Sequence, residues 1–144
     1  MSDYNAHLTQ AKHNESLAQD LFNTLSYKDW IITVSFYAAI HYIEAELANL
    51  IRPIHSDSDV PINPNTGKQR CSVHQWREEL VRKHFRQIFK DFRFLRTQSQ
   101  IARYLCDNQG NYLRQDVQDF FSDGFASNCL NRNLNNIKAH FGIN

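Results

Sequence analysis

A chain of 144 residues with 42% hydrophobic and 22% charged side chains is long enough to bury a core and too apolar to remain disordered. Sixteen basic and fifteen acidic side chains nearly cancel, at net +1, so no global field points to nucleic acid or a membrane and any basic site must be local. Three cysteines, Cys71, Cys106 and Cys129, make no CxxC pair and no even set, which speaks against a disulfide framework and for a reducing, cytoplasmic setting.

The polar start, Met1 to His7, carries no basic-then-apolar signal pattern, which again predicts the cytoplasm. From Ser2 to Leu25, the residues Leu8, Ala11, Leu17, Ala18, Leu21, Phe22 and Leu25 recur at helical spacings, with Ser2 or Asp3 as the N-cap. A short connection follows at Ser26–Asp29, with Ser26 as the expected cap of the next helix; so short a link makes the two helices antiparallel neighbours. The stretch from Asp29 to Arg52 contains neither Gly nor Pro, and Pro53 ends it. Trp30, Ile31, Val34, Tyr37, Ala38, Ile40, Ile43 and Leu47 cover most of its faces, which predicts a buried central helix. Lys28, Asp29, His41 and Glu44 interrupt it, so no membrane span is expected. His41, among aromatics and three residues before Glu44, is its unusual feature.

Residues 53–71 hold all three prolines and no helical period, so they form either a mobile surface loop or a flap over a site beside it. Ser72 and Gln75 then have the spacing of a capping box. The helix predicted behind it runs from Trp76 to Phe92, with Trp76, Leu80, Ile88 and either Val81 or His84 on one stripe. Its other side is dense in Arg77, Arg82, Lys83, Arg86, Lys90 and Arg93. This face is either solvated and balanced by Glu78, Glu79 and Asp91, or a binder of phosphates. Leu95 to Cys106 reads as helix, Asp107 to Asn111 as a turn, and Tyr112 to Phe141 as helix again. Gly124 marks a break or a close approach there. No segment alternates as a strand does. The expectation is one all-α domain over residues 1–144, an up-and-down bundle of four to five helices with a long loop between the second and third.

Several chemistries are set aside by missing patterns. Glu-x-x-His is absent, so a di-iron carboxylate bundle is not expected. His41, His74 and His84 make a three-histidine set only when chosen after the fact, and neither metal nor cofactor is expected. There is no Gly-x-Ser-x-Gly elbow, Gly-rich phosphate loop or His-Glu-x-x-His, and no βαβ unit for a dinucleotide. What remains is Arg77 with His84 on one helix. Seven residues apart, their azimuths differ by only ~20° and their backbones by about 10 Å along the axis. Such a pair suits RNA cleavage without metal: a neutral imidazole takes the 2′-hydroxyl proton and a guanidinium fork meets the phosphate charge.

Three stretches carry a resemblance: Trp30-Ile-Ile-Thr-Val-Ser-Phe-Tyr-Ala-Ala-Ile-His-Tyr-Ile-Glu-Ala45, His74-Gln-Trp-Arg77 and Ser99-Gln-Ile-Ala-Arg-Tyr104. Together they resemble small prokaryotic members of the HEPN superfamily (higher eukaryotes and prokaryotes nucleotide-binding), most clearly at Phe36 to Tyr42. The resemblance implies an antiparallel helical bundle that forms homodimers. It also implies kinship with ribonuclease toxins of toxin–antitoxin and defence systems, and with partners of small nucleotidyltransferases. The ribonucleases of the superfamily carry Arg, four to six residues, then His, often with Asn after the Arg. Here Glu78 stands where that Asn is common, Arg82 occupies the shortest His spacing, and His84 completes the pattern at the longest. Arg77 and His84 are thus the expected catalytic pair, with His74, Arg82, Arg103, Tyr104 and His41 as substrate-binding residues.

Each of these has a structural alternative. His41 either bonds to Glu44, Tyr42 or a tyrosine elsewhere, or lines a pocket at a dimer interface. Arg103 and Tyr104 either pin their helix through a carboxylate such as Glu44 or complete a phosphate pocket with Arg77. Arg77 itself pairs with Glu44 or Asp29 in a purely structural role. The second functional reading is accordingly a non-catalytic HEPN-like dimer that binds a nucleotide, RNA, or a partner protein such as an antitoxin or nucleotidyltransferase.

Overall fold

The computed structural model describes residues 3–24, 26–107, 109–112 and 116–144. Among them the chain is helical and contains no strand, in keeping with the absence of alternating patterns. Helix α1 spans Tyr4–Phe22, with the Asp3 carboxylate accepting the Ala6 amide at 2.8 Å as the N-cap. Ser2 and Leu25, the outer limits expected for this helix, lie outside the described residues. The buried face of α1 is His7, Ala11 and Ala18, and the two alanines let it close tightly on α2, Lys28–Ala48. His7 meets His41, and Tyr4 meets Glu46, so the starts and ends of the two helices face each other and they run antiparallel.

Helix α2 is the core of the fold, packing against α1 on one side and α4, Phe89–Tyr104, on another. Ile31, Ile32, Phe36, Tyr42, Ile43 and Leu47 are buried on it, and Phe36 meets Phe92 at 5.7 Å between ring centroids. Each such side chain contributes roughly 1.5–3 kcal/mol through removal from water. By length and composition α2 could cross a membrane, a property shared by core helices of soluble proteins, and 78% of its apolar window is buried inside the fold. Trp30 and Tyr37, seven positions apart, instead form an outward stripe.

Two ends of α2 differ from expectation. Ser26 does not cap it: Tyr27 holds the N-cap position without a side-chain bond. The Lys28 amide instead donates to Gln118 Oε1 at 3.2 Å, and its ammonium to the carbonyls of Gln118 and Phe121 and to Asp123. A partner ninety positions away leaves no local signal. At the other end the helix stops at Ala48, before the expected limit at Arg52.

Residues 49–72 contain no helix and are gathered by a single bridge, Ile62 to Gln69, around a turn in which Gly67 takes a φ of +67°. The predicted capping box is present at Ser72 and Gln75, and starts α3, Val73–His84. The helix expected to continue to Phe92 breaks at Phe85, with φ −133° and ψ 48°, and passes through a 3₁₀ turn at Arg86–Ile88 into α4. No Gly or Pro marks the break. The Phe85 ring is buried edge-on against Phe141, 4.9 Å between centroids at 84°, so distant packing sets it.

Beyond α4, Leu105 takes a left-handed φ of +51°, and the Asp107 carboxylate accepts the amides of Gln109 and Asn111 in the predicted turn. The last third forms α5, Val117–Phe120, then an unbroken run of α6, Asp123–Asn128, a π segment at Cys129–Leu134, and α7, Asn135–His140. The helix expected here breaks at Phe121–Ser122, just before Gly124 in the first turn of α6, and no atom lies near the Gly124 Cβ position, so there is no close approach. Part of the helix expected from Tyr112 onward, residues 113–115, lies outside the described residues.

Candidate functional site

At one corner of the bundle, α1, α2, the loop after α2 and the start of α3 bring polar side chains together around a buried ion pair. Glu44, about one turn before the end of α2, is 3% exposed, and Arg77, one turn into α3, is 5% exposed. Arg77 Nε donates to Glu44 Oε1 at 2.7 Å, its Nη2 contacts Asp57 Oδ1 at 3.4 Å, and its Nη1 lies 3.3 Å from His74 Nδ1. Glu44 also receives the Ser56 hydroxyl and, at 3.3 Å, the Ser56 amide. Burial alone would raise the Glu44 carboxyl, but the Ser56 hydroxyl and the Arg77 guanidinium outweigh it and hold it below the ordinary carboxylate range.

Four imidazoles, those of His7, His41, His55 and His74, surround this pair. His7 Nδ1 and His41 Nδ1 are 3.1 Å apart, a bond in which one ring must donate and the other accept. His55 packs against His7 at 5.6 Å between centroids. Burial pushes His7 and His41 below the usual histidine value; Arg77 and, for His41, the facing His7 push in the same direction. His74 is lowered by burial and then by three cations, Arg77, Arg96 and Arg103. At neutral pH these three rings are therefore uncharged, the form that accepts protons or ligates metal. His7, Glu44 and His55 each place one ligating atom within 4.8 Å of the others.

Beside His74 the surface turns basic and aromatic. The Arg103 guanidinium lies 5.8 Å from the centre of the Tyr37 ring and 5.1 Å from that of Tyr104. It donates to the Tyr37 hydroxyl and, from Nε, to the Ser99 carbonyl, both at 3.2 Å. Tyr104 is 61% exposed. Both rings are partly exposed, with the guanidinium over a face of each.

The structure thus joins Arg77, His74 and His41 in one cluster, with Arg103 and Tyr104 at its rim. It does not join Arg77 to His84. Their shared azimuth holds, but the axial separation carries His84 past the end of α2, into a groove of about 690 Å³ formed with Leu50, Ile51, Pro53, Trp76, Leu80 and Lys83. There the His84 Nε2 is buried without a hydrogen-bond partner among the described residues. Arg82 lies elsewhere again, exposed over the Phe89 ring at 6.0 Å and beside Glu78 and Glu79. Arg103 bonds to Tyr37 and not to Glu44, while Arg77 does pair with Glu44.

Sequence reasoning missed His7, His55, Ser56 and Asp57. His7 had a legible signal, since it stands with Ala11 and Ala18 on the buried stripe of α1, where an apolar residue belongs. His55, Ser56 and Asp57 had none, because only the path of the loop brings them onto Glu44 and Arg77. Compared with protein-family models, curated proteins and solved structures, the chain matches none.

Proposed function

We propose that the chain is a HEPN-like domain acting on RNA, and that its working centre is the histidine cluster around Glu44 and Arg77, in place of the Arg77/His84 pair that spacing suggested. The observation that carries this reading is the contact of His7 with His41: two uncharged imidazoles 3.1 Å apart beside a fixed guanidinium. Desolvating four imidazoles at one corner has a cost that an apolar core would avoid, which favours a chemical role over a structural one.

In the reaction, one neutral imidazole takes the proton of a ribose 2′-hydroxyl. The resulting alkoxide forms a bond to phosphorus, the bond from phosphorus to the 5′-oxygen breaks, and that oxygen takes a proton from the imidazolium just formed, either directly or after the proton passes across the His7–His41 contact. The products are a 2′,3′-cyclic phosphate and a 5′-hydroxyl. Arg96 and Arg103, whose charges already reach His74, supply attraction for the backbone, and Tyr37 and Tyr104 supply stacking faces.

The test is RNA cleavage in EDTA by wild type beside His41→Ala, with circular dichroism to show that both fold. Loss of about 10²–10⁴-fold in rate, the usual contribution of a general acid or base, is expected. The acid limb of the wild-type profile should lie below pH 6.5, because the base is held below that ordinary value. Wild type that leaves RNA intact, or His41→Ala that cuts as fast, overturns the reading.

One observation favours a second reading, a non-catalytic RNA- or nucleotide-binding domain. All three nitrogens of Arg77 already face protein partners, so no free fork is offered to a scissile phosphate. RNA retained without cleavage, and released in Arg103→Ala, would select it.

A further inference from the structure

The structure assigns to His7, Glu44 and His55 a binding site for one divalent transition ion of the zinc class. The three side chains come from three separate parts of the chain, namely α1, α2 and the loop after it, and their ligating atoms lie within 4.8 Å of one another. Zinc–nitrogen and zinc–oxygen bonds of ~2.0–2.2 Å place tetrahedral donors about 3.3–3.5 Å apart. The remaining closure falls to His55, which is half-buried on the loop, while His7 and Glu44 are fixed on helices.

The surroundings have the features a metal site needs. Glu44 receives Arg77 Nε and the hydroxyl and amide of Ser56, three donors on a group with about four lone-pair directions, so its carboxylate is oriented and keeps capacity for an ion. His41 holds the His7 ring from outside the triad, the kind of support metal-bound imidazoles receive from a neighbouring polar group. Two carboxylates, Glu44 and Asp57, face the Arg77 guanidinium, so this ion pair alone does not cancel the negative charge beside the triad. Two imidazoles and a single carboxylate suit zinc and its neighbours and not magnesium or calcium, which take mostly oxygen ligands. Three protein ligands leave a fourth position for water or another ligand.

The site shares His7 and Glu44 with the proposed RNA centre but is measured without RNA, so either reading can fail alone. Under the RNA reading an ion on His7 removes it from proton transfer, so the metal-loaded chain is the inactive form. The experiment is equilibrium dialysis of the full chain, first stripped with chelator, against zinc sulfate and separately against magnesium chloride. A Cys71→Ser/Cys106→Ser background removes the two partly exposed thiols. One zinc ion per chain and no magnesium are expected, with affinity at least tenfold weaker in His55→Ala and in His7→Gln. Circular dichroism identifies variants that keep their helices, and His55→Ala, altered only in the loop, is the variant that keeps the test open should His7→Gln unfold. No retained zinc, zinc lost with the two thiols, or equal affinity in a folded His55→Ala chain overturns the assignment.

Discussion

The two ends of α3 share a helix and a facing direction, yet stand in opposite environments. At its first turns Arg77 meets Glu44, Asp57 and His74, so each of its three nitrogens has a counterpart. At its last turn His84 faces Leu50, Pro53, Trp76 and Leu80, and the next residue, Phe85, is buried among Phe141 and His140. The difference comes from what lies opposite. Arg77 meets Glu44 of α2, whereas His84 lines a groove with residues 50–54, which follow the end of α2. Spacing on a helix fixes direction, and the opposing element decides chemistry.

Removing one partner of the buried pair perturbs the Arg77 end most. Glu44→Ala should destabilise the chain by about 3–5 kcal/mol in urea denaturation, because Arg77 is left charged and enclosed. Replacing both partners with apolar residues should restore part of that loss, and a double variant no more stable than Glu44→Ala would show that the pair is not the cause. At the aromatic end, Phe85→Ala should cost about 3 kcal/mol through the lost burial and the cavity against Phe141. If the variant also joins α3 to α4 as one continuous helix, hydrogen exchange at residues 85–88 will slow.

Ser72→Ala should cost about 1 kcal/mol, since it removes the N-cap bond to Gln75 and half of the capping box. Its fluorescence melting curve will show a small, uniform shift, whereas a selective loss of RNA or zinc binding would mean that the cap positions His74 and Arg77. Least of all, His84→Ala should change stability by less than about 0.5 kcal/mol, because the packing it loses is offset by removal of a buried Nε2 that has no hydrogen-bond partner among the described residues. Under the proposed function it should also cut RNA at the wild-type rate, and a cleavage defect in a folded His84→Ala chain would restore the Arg77/His84 pair.

What was legible in the sequence was whatever a single helix encodes. The Asp3 cap, the Ser72 box, the buried character of α2 and the turn at Asp107 all rest on neighbours in the chain. The break at Phe85 did not, because it is imposed by a ring more than fifty residues downstream and no local breaker accompanies it. The site divides in the same way. His41 stands out as a polar residue among aromatics, and His74 and Arg77 by their place at the start of a basic helix, while His55 and Asp57 look like any loop residues until the loop is folded onto Glu44.

The tether at Lys28 bears on how the chain is made. The first turn of α2 is closed by Gln118, Phe121 and Asp123, which leave the ribosome some ninety residues after the helix they close. Until then the N-terminal end of α2 has its amide and its lysine in water, although α1 can already lie along the rest. The growing chain therefore holds an unfinished helix until residues 118–123 have emerged, and the first turn of α2 closes only when they dock on Lys28.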